Sequence, residues 1–213
     1  MLMKAFLCLL FLVCADVKAE DAPKDFPAKL SIELEDVTPS AVNAIVSKLD
    51  EIEKTGTTQE IWLRLNSFGG DVESGQKLIT RLEQVQIPVI CVADFKAMSM
   101  AALILESPGC KTRLMTDRTV LMFHHASVGG VSGNSDTLLM FLNWLTRLDG
   151  SMARMCAKRM GMTPEAFEAK SSKTWFLDID EAKQFHAIDD TVDSQKIPPP
   201  IKLDEQKSPL WFL

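Results

Sequence analysis

The sequence predicts an α/β domain with a largely parallel β-sheet, because short β-like runs alternate with helical patterns along most of its length. A chain of 213 residues, 46% of them hydrophobic, is long enough to form one hydrophobic core of ordinary size. Its 24% charged residues, 10 glycines and 10 prolines exclude collagen-like and wholly disordered chains. The formal net charge of -6, without any run of basic residues, disfavours nucleic-acid binding.

Residues 1–19 have the composition of a targeting segment rather than of a folded domain. Lys4 precedes an apolar run over residues 5–15, and the small side chain of Ala19 closes the segment. This pattern predicts a secretory signal peptide cleaved after Ala19, and therefore a periplasmic or secreted protein. The run is shorter than the roughly 20 apolar residues that a membrane span needs, although an uncleaved N-terminal anchor stays open as the alternative.

Three cysteines, Cys91, Cys110 and Cys156, follow the predicted signal peptide. The 5 cysteines of the whole chain are too few for a disulfide scaffold, and no CxxC pair occurs. We interpret the three as buried apolar side chains. An oxidising compartment allows one disulfide among them, but their spacing does not imply it.

The predicted elements begin with a strand over residues 29–37. Thr38 and Pro39 then form a helix start, with an N-cap followed by proline at the first helical position, and apolar residues recur at helical spacing after them. A second helix follows Gly69 and Gly70. The remaining β-like runs are residues 60–66, 88–93, 113–115, 119–124 and 175–177.

The longest predicted helix covers residues 136–160 and has an apolar stripe along one side. Met140 and Trp144 widen that stripe beyond what one core needs. A helix of this kind is buried either within its own domain or against another subunit.

From residue 194 onward the composition becomes proline-rich. Three consecutive prolines exclude a helix and favour an extended segment. The predicted organisation is therefore a signal peptide (1–19), one domain (20–193) and a C-terminal tail (194–213). The apolar end of the tail, residues 210–213, either docks on the domain or frays.

Two glycines and a serine occupy turns where a strand leads into a helix. Gly69 and Gly70 lie in the first turn, where glycine permits backbone conformations closed to other residues and lets N–H groups point into a site. Ser99 lies in the second turn, flanked by small residues and followed by a helical run. A serine so placed presents its hydroxyl as a nucleophile, although a plain helix N-cap is the alternative.

His124 and His125 end the predicted strand over residues 119–124. Neighbouring side chains on a strand face opposite ways, so the pair does not share a metal ion, and no HExxH pattern is present. We therefore expect no metal and no other cofactor. A histidine, a serine and glycine N–H groups are together the parts of nucleophilic acyl transfer.

These segments read SFGG at residues 67–70, AMSMAA at 97–102 and MFHHAS at 122–127. In this order they resemble the Clp protease proteolytic subunit family, and the resemblance extends over residues 29–190. It implies the fold of repeated ββα units that this family shares with the crotonases, with the long helix of the C-terminal half joining subunits. It also implies a serine endopeptidase that acts on peptides or unfolded polypeptides as a ring-type homo-oligomer.

The resemblance assigns roles to individual residues. Ser99 falls on the family's nucleophile and His124 on its general base. Gly69 falls on the oxyanion glycine, and the backbone N–H of Met100 falls on the second oxyanion donor. The loop after His124 is one residue longer than in the family, which leaves His125 as a rival base.

Three residues near these motifs depart from the family pattern. Phe68 replaces the proline of an SPGG turn, while Phe95 and His186 stand where relatives have glycine. The stretch that leads to Ser99 is also longer than in the cytosolic enzymes.

The third triad position is the most consequential departure. Thr174 stands where the family has aspartate, and Asp178 is a nearby alternative. Loss of that carboxylate lowers the turnover of serine proteases by about 10⁴-fold, whereas the oxyanion hole and substrate binding retain about 10³–10⁴ over water. The alternative to an active peptidase is therefore a catalytically impaired oligomeric scaffold or a peptide-binding protein.

Export bears on the expected partners and on two further alternatives. An exported protein has no ATP supply, so no ATPase partner is expected. A crotonase-type enzyme would need acyl-CoA, a cytosolic substrate, and the matches at Ser99 and His124 argue against it. A peptidase with a lysine base would require Lys96 to face Ser99.

Overall fold

Seven strands form one sheet in the computed structural model, which describes residues 30–127 and 132–203. The strands are β1 (Leu30–Leu34), β2 (Ile61–Ser67), β3 (Val89–Met98), β4 (Cys110–Met115), β5 (Val120–Phe123), β6 (Trp175–Leu177) and β7 (Asp190–Thr191). The helices are α1 (Pro39–Lys54), α2 (Val72–Gln84), α3 (Met100–Leu105), α4 (Ser135–Met160), α5 (Pro164–Ser171) and α6 (Ile179–Gln184), and a 3-10 turn covers Ser194–Lys196.

The sheet is parallel apart from one pair of strands. Its spatial order is β1-β2-β3-β4-β7, and every neighbouring pair along this path is parallel. β5 runs parallel to the second half of β3 and antiparallel to β6. The predicted α/β domain with a largely parallel sheet is therefore confirmed. Its strand–helix units run β1-α1, β2-α2 and β3-α3 before β4 and β5 lead into α4.

The central strands join the main core through one set of alternate side chains, such as Leu63 and Leu65, whereas Trp62 and Val92 form a second, smaller cluster with Ile197. Thr38 caps α1 as predicted: its side chain accepts a hydrogen bond from the Ala41 N–H at 3.2 Å, and Pro39 occupies the first turn. The core between the sheet and the first two helices includes side chains that are at most 2% exposed, among them Ile32, Ile45, Leu49, Leu63, Leu65, Leu78, Leu82 and Val89.

Most predicted elements agree with the structure to within a residue or two, but the first strand ends at Leu34 rather than at residue 37, and two other strands are longer than predicted. β3 continues to Met98 instead of ending at residue 93, because its second half pairs with β5. β4 begins at Cys110 rather than at residue 113. β7 was missed, because a two-residue strand has no alternation of polar and apolar residues to reveal it.

A disulfide bond joins Cys91 on β3 to Cys110 on β4, with Cα atoms 5.4 Å apart. Cys156 on α4 is a buried free thiol. The sequence left this pairing open, because a separation of 19 residues does not reveal a distance in space. The two cysteines meet because β3 and β4 are neighbours in the sheet.

The proline-rich segment packs along the edge of the sheet. The Ile201 N–H donates to the Ser31 carbonyl at 2.8 Å, and Pro200 forms a parallel bridge with Ser31. Ile197 is 9% exposed and packs against Trp62. The described part of the predicted tail thus begins with the 3-10 turn Ser194–Lys196, and the segment that follows, up to Leu203, contains no helix and packs on the domain.

Two predictions concern parts of the chain outside the described residues: the signal peptide at 1–19 and the apolar end at 210–213. Within residues 30–127 and 132–203, no helix combines the length and the apolar composition that crossing a membrane requires. The longest of them, α4 with 26 residues, carries charged side chains along its length.

Candidate active site

Ser99 and His124 are joined by a hydrogen bond of 2.7 Å between the serine Oγ and the histidine Nε2. Ser99 lies in the turn between β3 and α3 with a φ of +54°, and its N–H donates to the Met122 carbonyl at 2.7 Å. His124 follows directly after β5. Because β5 pairs with the end of β3, the two side chains meet where these neighbouring strands end. The distance lies within the range in which a base abstracts a proton directly.

A bulge in β3 accommodates the longer stretch before Ser99. Leu65 pairs with Ala93, but Ser67, two residues further along β2, pairs with Ala97, so β3 contains extra residues at this point. Phe95 lies within the bulge at a φ of +68°, and its N–H donates to a threonine side chain at 2.9 Å. The extra residues are therefore absorbed before the strand reaches the serine.

Two of the residues that replace family glycines keep a backbone conformation typical of glycine. Phe95 and His186 have φ values of +68° and +54°. A left-handed conformation costs a residue with a side chain about 1–2 kcal/mol. The backbone therefore carries this strain at both positions. Phe68, which stands where the family has the proline of an SPGG turn, is 67% exposed.

Gly69 packs directly against the turn that carries the nucleophile. A Cβ atom on Gly69, whose φ is +102°, would lie 2.8 Å from the Met98 carbonyl oxygen and 3.0 Å from the Met100 nitrogen. The Gly69 N–H donates to Ser67 Oγ at 3.0 Å, so this amide is already engaged. By contrast, the N–H groups of Gly70 and Met100 donate no hydrogen bond within the part of the chain that the structure describes. The free amides of this region are thus those of Gly70 and Met100, whereas the sequence indicated Gly69 and Met100.

Neither predicted candidate for the third triad position is bonded to His124. Thr174 is exposed, with a φ of +49°, and its N–H donates to the Ser171 carbonyl at 3.3 Å. Asp178 is the N-cap of α6, where its Oδ1 accepts the N–H groups of Asp180 at 3.0 Å and Glu181 at 2.9 Å. A capping carboxylate occupied in this way has a local structural role, which corrects the expectation for Asp178.

The rival bases make other contacts. The side chain of His125 is exposed, and its Nε2 lies 3.2 Å from Glu168 Oε1. His125 therefore points away from Ser99, as expected for the neighbour of His124 along an extended chain. Lys96 Nζ donates to Asn66 Oδ1 at 2.9 Å and lies over the Phe68 ring. Neither forms a hydrogen bond to Ser99. Within residues 30–127 and 132–203, no three His, Cys, Asp or Glu side chains are grouped so that they could hold a metal ion.

A buried hydrogen-bonded network of Glu106, Arg113 and Asp189 fixes the far end of α3, the helix that follows Ser99. Glu106 is fully buried, and its Oε2 accepts a hydrogen bond from Arg113 Nη1 at 2.6 Å. Arg113 also donates through Nη2 to Asp189 Oδ1 at 2.7 Å. Burial raises the pKa of Glu106 to about 8, although the nearby guanidinium of Arg113 opposes this shift. Glu106 Oε1 is buried without a hydrogen-bond partner among the described residues, which adds to the cost of ionising this carboxyl.

Because its pKa in the folded state exceeds the ordinary value of 4.5, Glu106 contributes stability that is fully present below about pH 4.5 and is lost as the pH rises through about 8. We expect the free energy of unfolding of the wild type to fall between pH 5 and 9 relative to that of Glu106→Gln, which cannot ionise. Urea unfolding of both proteins across this range measures the difference. Parallel stability curves would show that Glu106 is already ionised in the folded protein at pH 5.

The family comparison agrees with this arrangement. A model of the family described as Clp protease matches residues 28–195, which include Ser99, His124 and the glycine turn. The matched range also contains every strand of the sheet. The match covers well over half of the chain, and the chain therefore belongs to the Clp protease family.

Proposed function

We propose that this protein is an exported serine endopeptidase that hydrolyses peptides or unfolded polypeptides. The observation that carries the proposal is the 2.7 Å hydrogen bond between Ser99 Oγ and His124 Nε2. As the serine attacks a scissile carbonyl, Nε2 accepts its proton and later returns it to the leaving amine. Water then hydrolyses the acyl-enzyme by the same proton transfers in reverse order.

The oxyanion formed in this attack requires backbone donors near Ser99. The Met100 N–H follows the nucleophile directly and is free of other hydrogen bonds in the described part of the chain. The second donor comes from the glycine turn. Because the Gly69 N–H donates to Ser67 Oγ, we assign this role to the Gly70 N–H and regard Gly69 as the residue that lets the turn approach the serine.

The second candidate function is a catalytically impaired scaffold or peptide-binding protein. The exposed Thr174, which forms no hydrogen bond to His124, favours it. A missing carboxylate lowers turnover by about 10⁴-fold but leaves the serine, the base and the oxyanion donors in place. Measurable reactivity of Ser99 therefore separates the two candidates.

Two observations support the proposed setting of the enzyme. The Cys91–Cys110 disulfide is typical of the periplasm or the extracellular space, where the protein is proposed to act without an ATPase partner. The first half of α4 exposes a set of large apolar side chains, which is consistent with a homo-oligomer: Leu139, Met140, Leu142 and Trp144. The substrates are proposed to be peptides or unfolded chains that reach the site without an unfoldase.

Fluorophosphonate labelling of the purified protein tests the proposal, because these probes phosphonylate an activated serine, with loss of fluoride, whatever the substrate of the enzyme. We expect the wild type to be labelled and Ser99→Ala not to be labelled. Removing the serine or the histidine of a serine protease costs as much as removing the whole triad, about 2 × 10⁶-fold, and the aspartate alone costs about 3 × 10⁴-fold. In a chain without that aspartate, the ratio of these two factors applies, and His124→Ala is therefore expected to slow labelling by roughly 70-fold.

The control is His125→Ala, which removes the neighbouring imidazole but not the hydrogen bond to Ser99. It is expected to keep the labelling rate within about threefold of the wild type. A folded wild-type protein that is not labelled would favour the scaffold. Loss of labelling in His125→Ala, with retention in His124→Ala, would reassign the base.

A further inference from the structure

A cavity of about 20 Å³ separates His124 from the C-terminal half of α4. Its walls include five polar side chains, those of His124, His125, Asp149, Glu168 and Ser171, and apolar side chains that include Met152. A cavity needs about 10–15 Å³ and two to four polar partners to hold one water molecule. This cavity meets both requirements, and one of its partners is the proposed general base.

Asp149 is attached to the segment that carries His124. Its Oδ1 accepts a hydrogen bond at 3.1 Å from the N–H of Ala126, two residues after the histidine. The bond ties the chain after β5 to α4, which is held in the core by Leu145, Leu148 and Ala153. The second carboxylate oxygen, Oδ2, accepts no hydrogen bond from the residues that the structure describes.

Two other carboxylates, those of Glu168 and Asp178, have partners of their own. Glu168 borders the same cavity, but its Oε1 pairs with His125 Nε2 at 3.2 Å. Asp178 caps α6 through two backbone N–H groups. Among the described carboxylates that line the cavity, Asp149 is the one that contacts the backbone of the His124 segment.

We propose that Asp149 is the positioning residue of His124 and replaces the missing triad aspartate through one water molecule in this cavity. When Nε2 accepts the hydrogen bond of Ser99 Oγ–H, the ring proton is on Nδ1. Nδ1–H donates to the water, which donates to Asp149 Oδ2. During the attack the serine proton moves to Nε2, the Nδ1 proton stays in place, and the ionised carboxylate stabilises the imidazolium. The inference rests on the proposed serine peptidase mechanism and deepens it.

Asp149→Asn is the informative variant, because it removes the charge but keeps an oxygen that accepts the Ala126 N–H. The readouts are the maximal inactivation rate (kinact) and the apparent affinity (KI) of a fluorophosphonate on the purified protein. We expect kinact to fall by about 10–100-fold, the range found for outer partners that orient functional histidines at metal sites, and KI to stay within about threefold. If Asp149 had a purely structural role, its replacement would not lower kinact while leaving KI unchanged. We expect the NMR spectrum of the wild type to contain a low-field proton resonance from the hydrogen-bonded Nδ1–H. In the variant this resonance is expected to shift or broaden.

Glu168→Gln is the matched control, since it neutralises the other carboxylate of the cavity and is expected to change kinact by less than about threefold. Asp149→Ala, which also removes the Ala126 contact, serves as the second variant, and thermal unfolding establishes that each protein is folded. A labelled wild type with equal kinact in Asp149→Asn would overturn the inference alone. A wild type that is not labelled would overturn the proposed function and this inference with it.

Discussion

Replacing Gly69 with alanine is expected to slow the labelling of Ser99 by about 10²-fold and to lower the free energy of unfolding by about 2–5 kcal/mol. The added Cβ would lie 2.8 Å from both the Met98 carbonyl oxygen and Ser99 Cβ, and 3.0 Å from the Met100 nitrogen. These atoms belong to the backbone or to the base of a side chain, so the clash is relieved only if the turn carrying the nucleophile moves. A displacement of about 1 Å at a reacting group costs on the order of 10²-fold in rate.

Gly56→Ala is the matched control for this experiment. Gly56 has a φ of +68°, but a Cβ there would meet no atom within 4 Å. The substitution therefore carries only the cost of a left-handed backbone, about 1–2 kcal/mol, and leaves the labelling rate unchanged. Urea unfolding and the rate of fluorophosphonate labelling are measured for both variants. Equal labelling rates would contradict the close approach of Gly69 to the Ser99 turn.

The roles of Ser99 and His124 could be predicted from short motifs through the family resemblance, but the sequence could not show whether the two side chains lie within hydrogen-bond reach. Their 2.7 Å separation follows from the pairing of β5 with the end of β3. The resemblance also identified Phe95 and His186 as residues that stand where the family has glycine, and both have a positive φ in the structure. Local sequence carries such information because turn conformation depends mainly on neighbouring residues.

The contacts between distant segments could not be predicted in the same way. The Gly69 N–H donates to Ser67 Oγ, and a motif does not reveal which of two adjacent amides is already occupied. Asp149 reaches the His124 segment because of the way α4 packs on the sheet, and the helical pattern alone does not fix that docking. The residue that orients His124 could not be identified from the sequence for a related reason. Thr174 was identified by its place in a motif, whereas the nearby carboxylate comes from another part of the chain.

Reduction of the Cys91–Cys110 disulfide is expected to lower the free energy of unfolding by about 3 kcal/mol, because it restores the conformational freedom of a loop between residues 19 apart in the unfolded chain. For a domain of this size, the loss corresponds to a decrease in Tm of roughly 6–12 °C. Thermal unfolding of residues 20–213 with and without dithiothreitol measures it. Titration of the unfolded protein is expected to find one thiol, that of Cys156, before reduction and all three cysteines after it.

The double variant Cys91→Ala/Cys110→Ala separates the effect of the bond from other effects of the reductant. Its Tm is expected to match that of the reduced wild type within a few degrees and not to respond to dithiothreitol, because Cys156 is the free cysteine of the described chain. The same titration bears on the compartment, since the reducing cytosol keeps thiols free whereas the periplasm and the extracellular space allow the bond to persist. Protein trapped with an alkylating agent in the producing cells should therefore contain the disulfide. Recovery of three alkylated thiols from those cells would contradict the proposed export. In that case the protein in those cells would lack the disulfide and with it about 3 kcal/mol of stability.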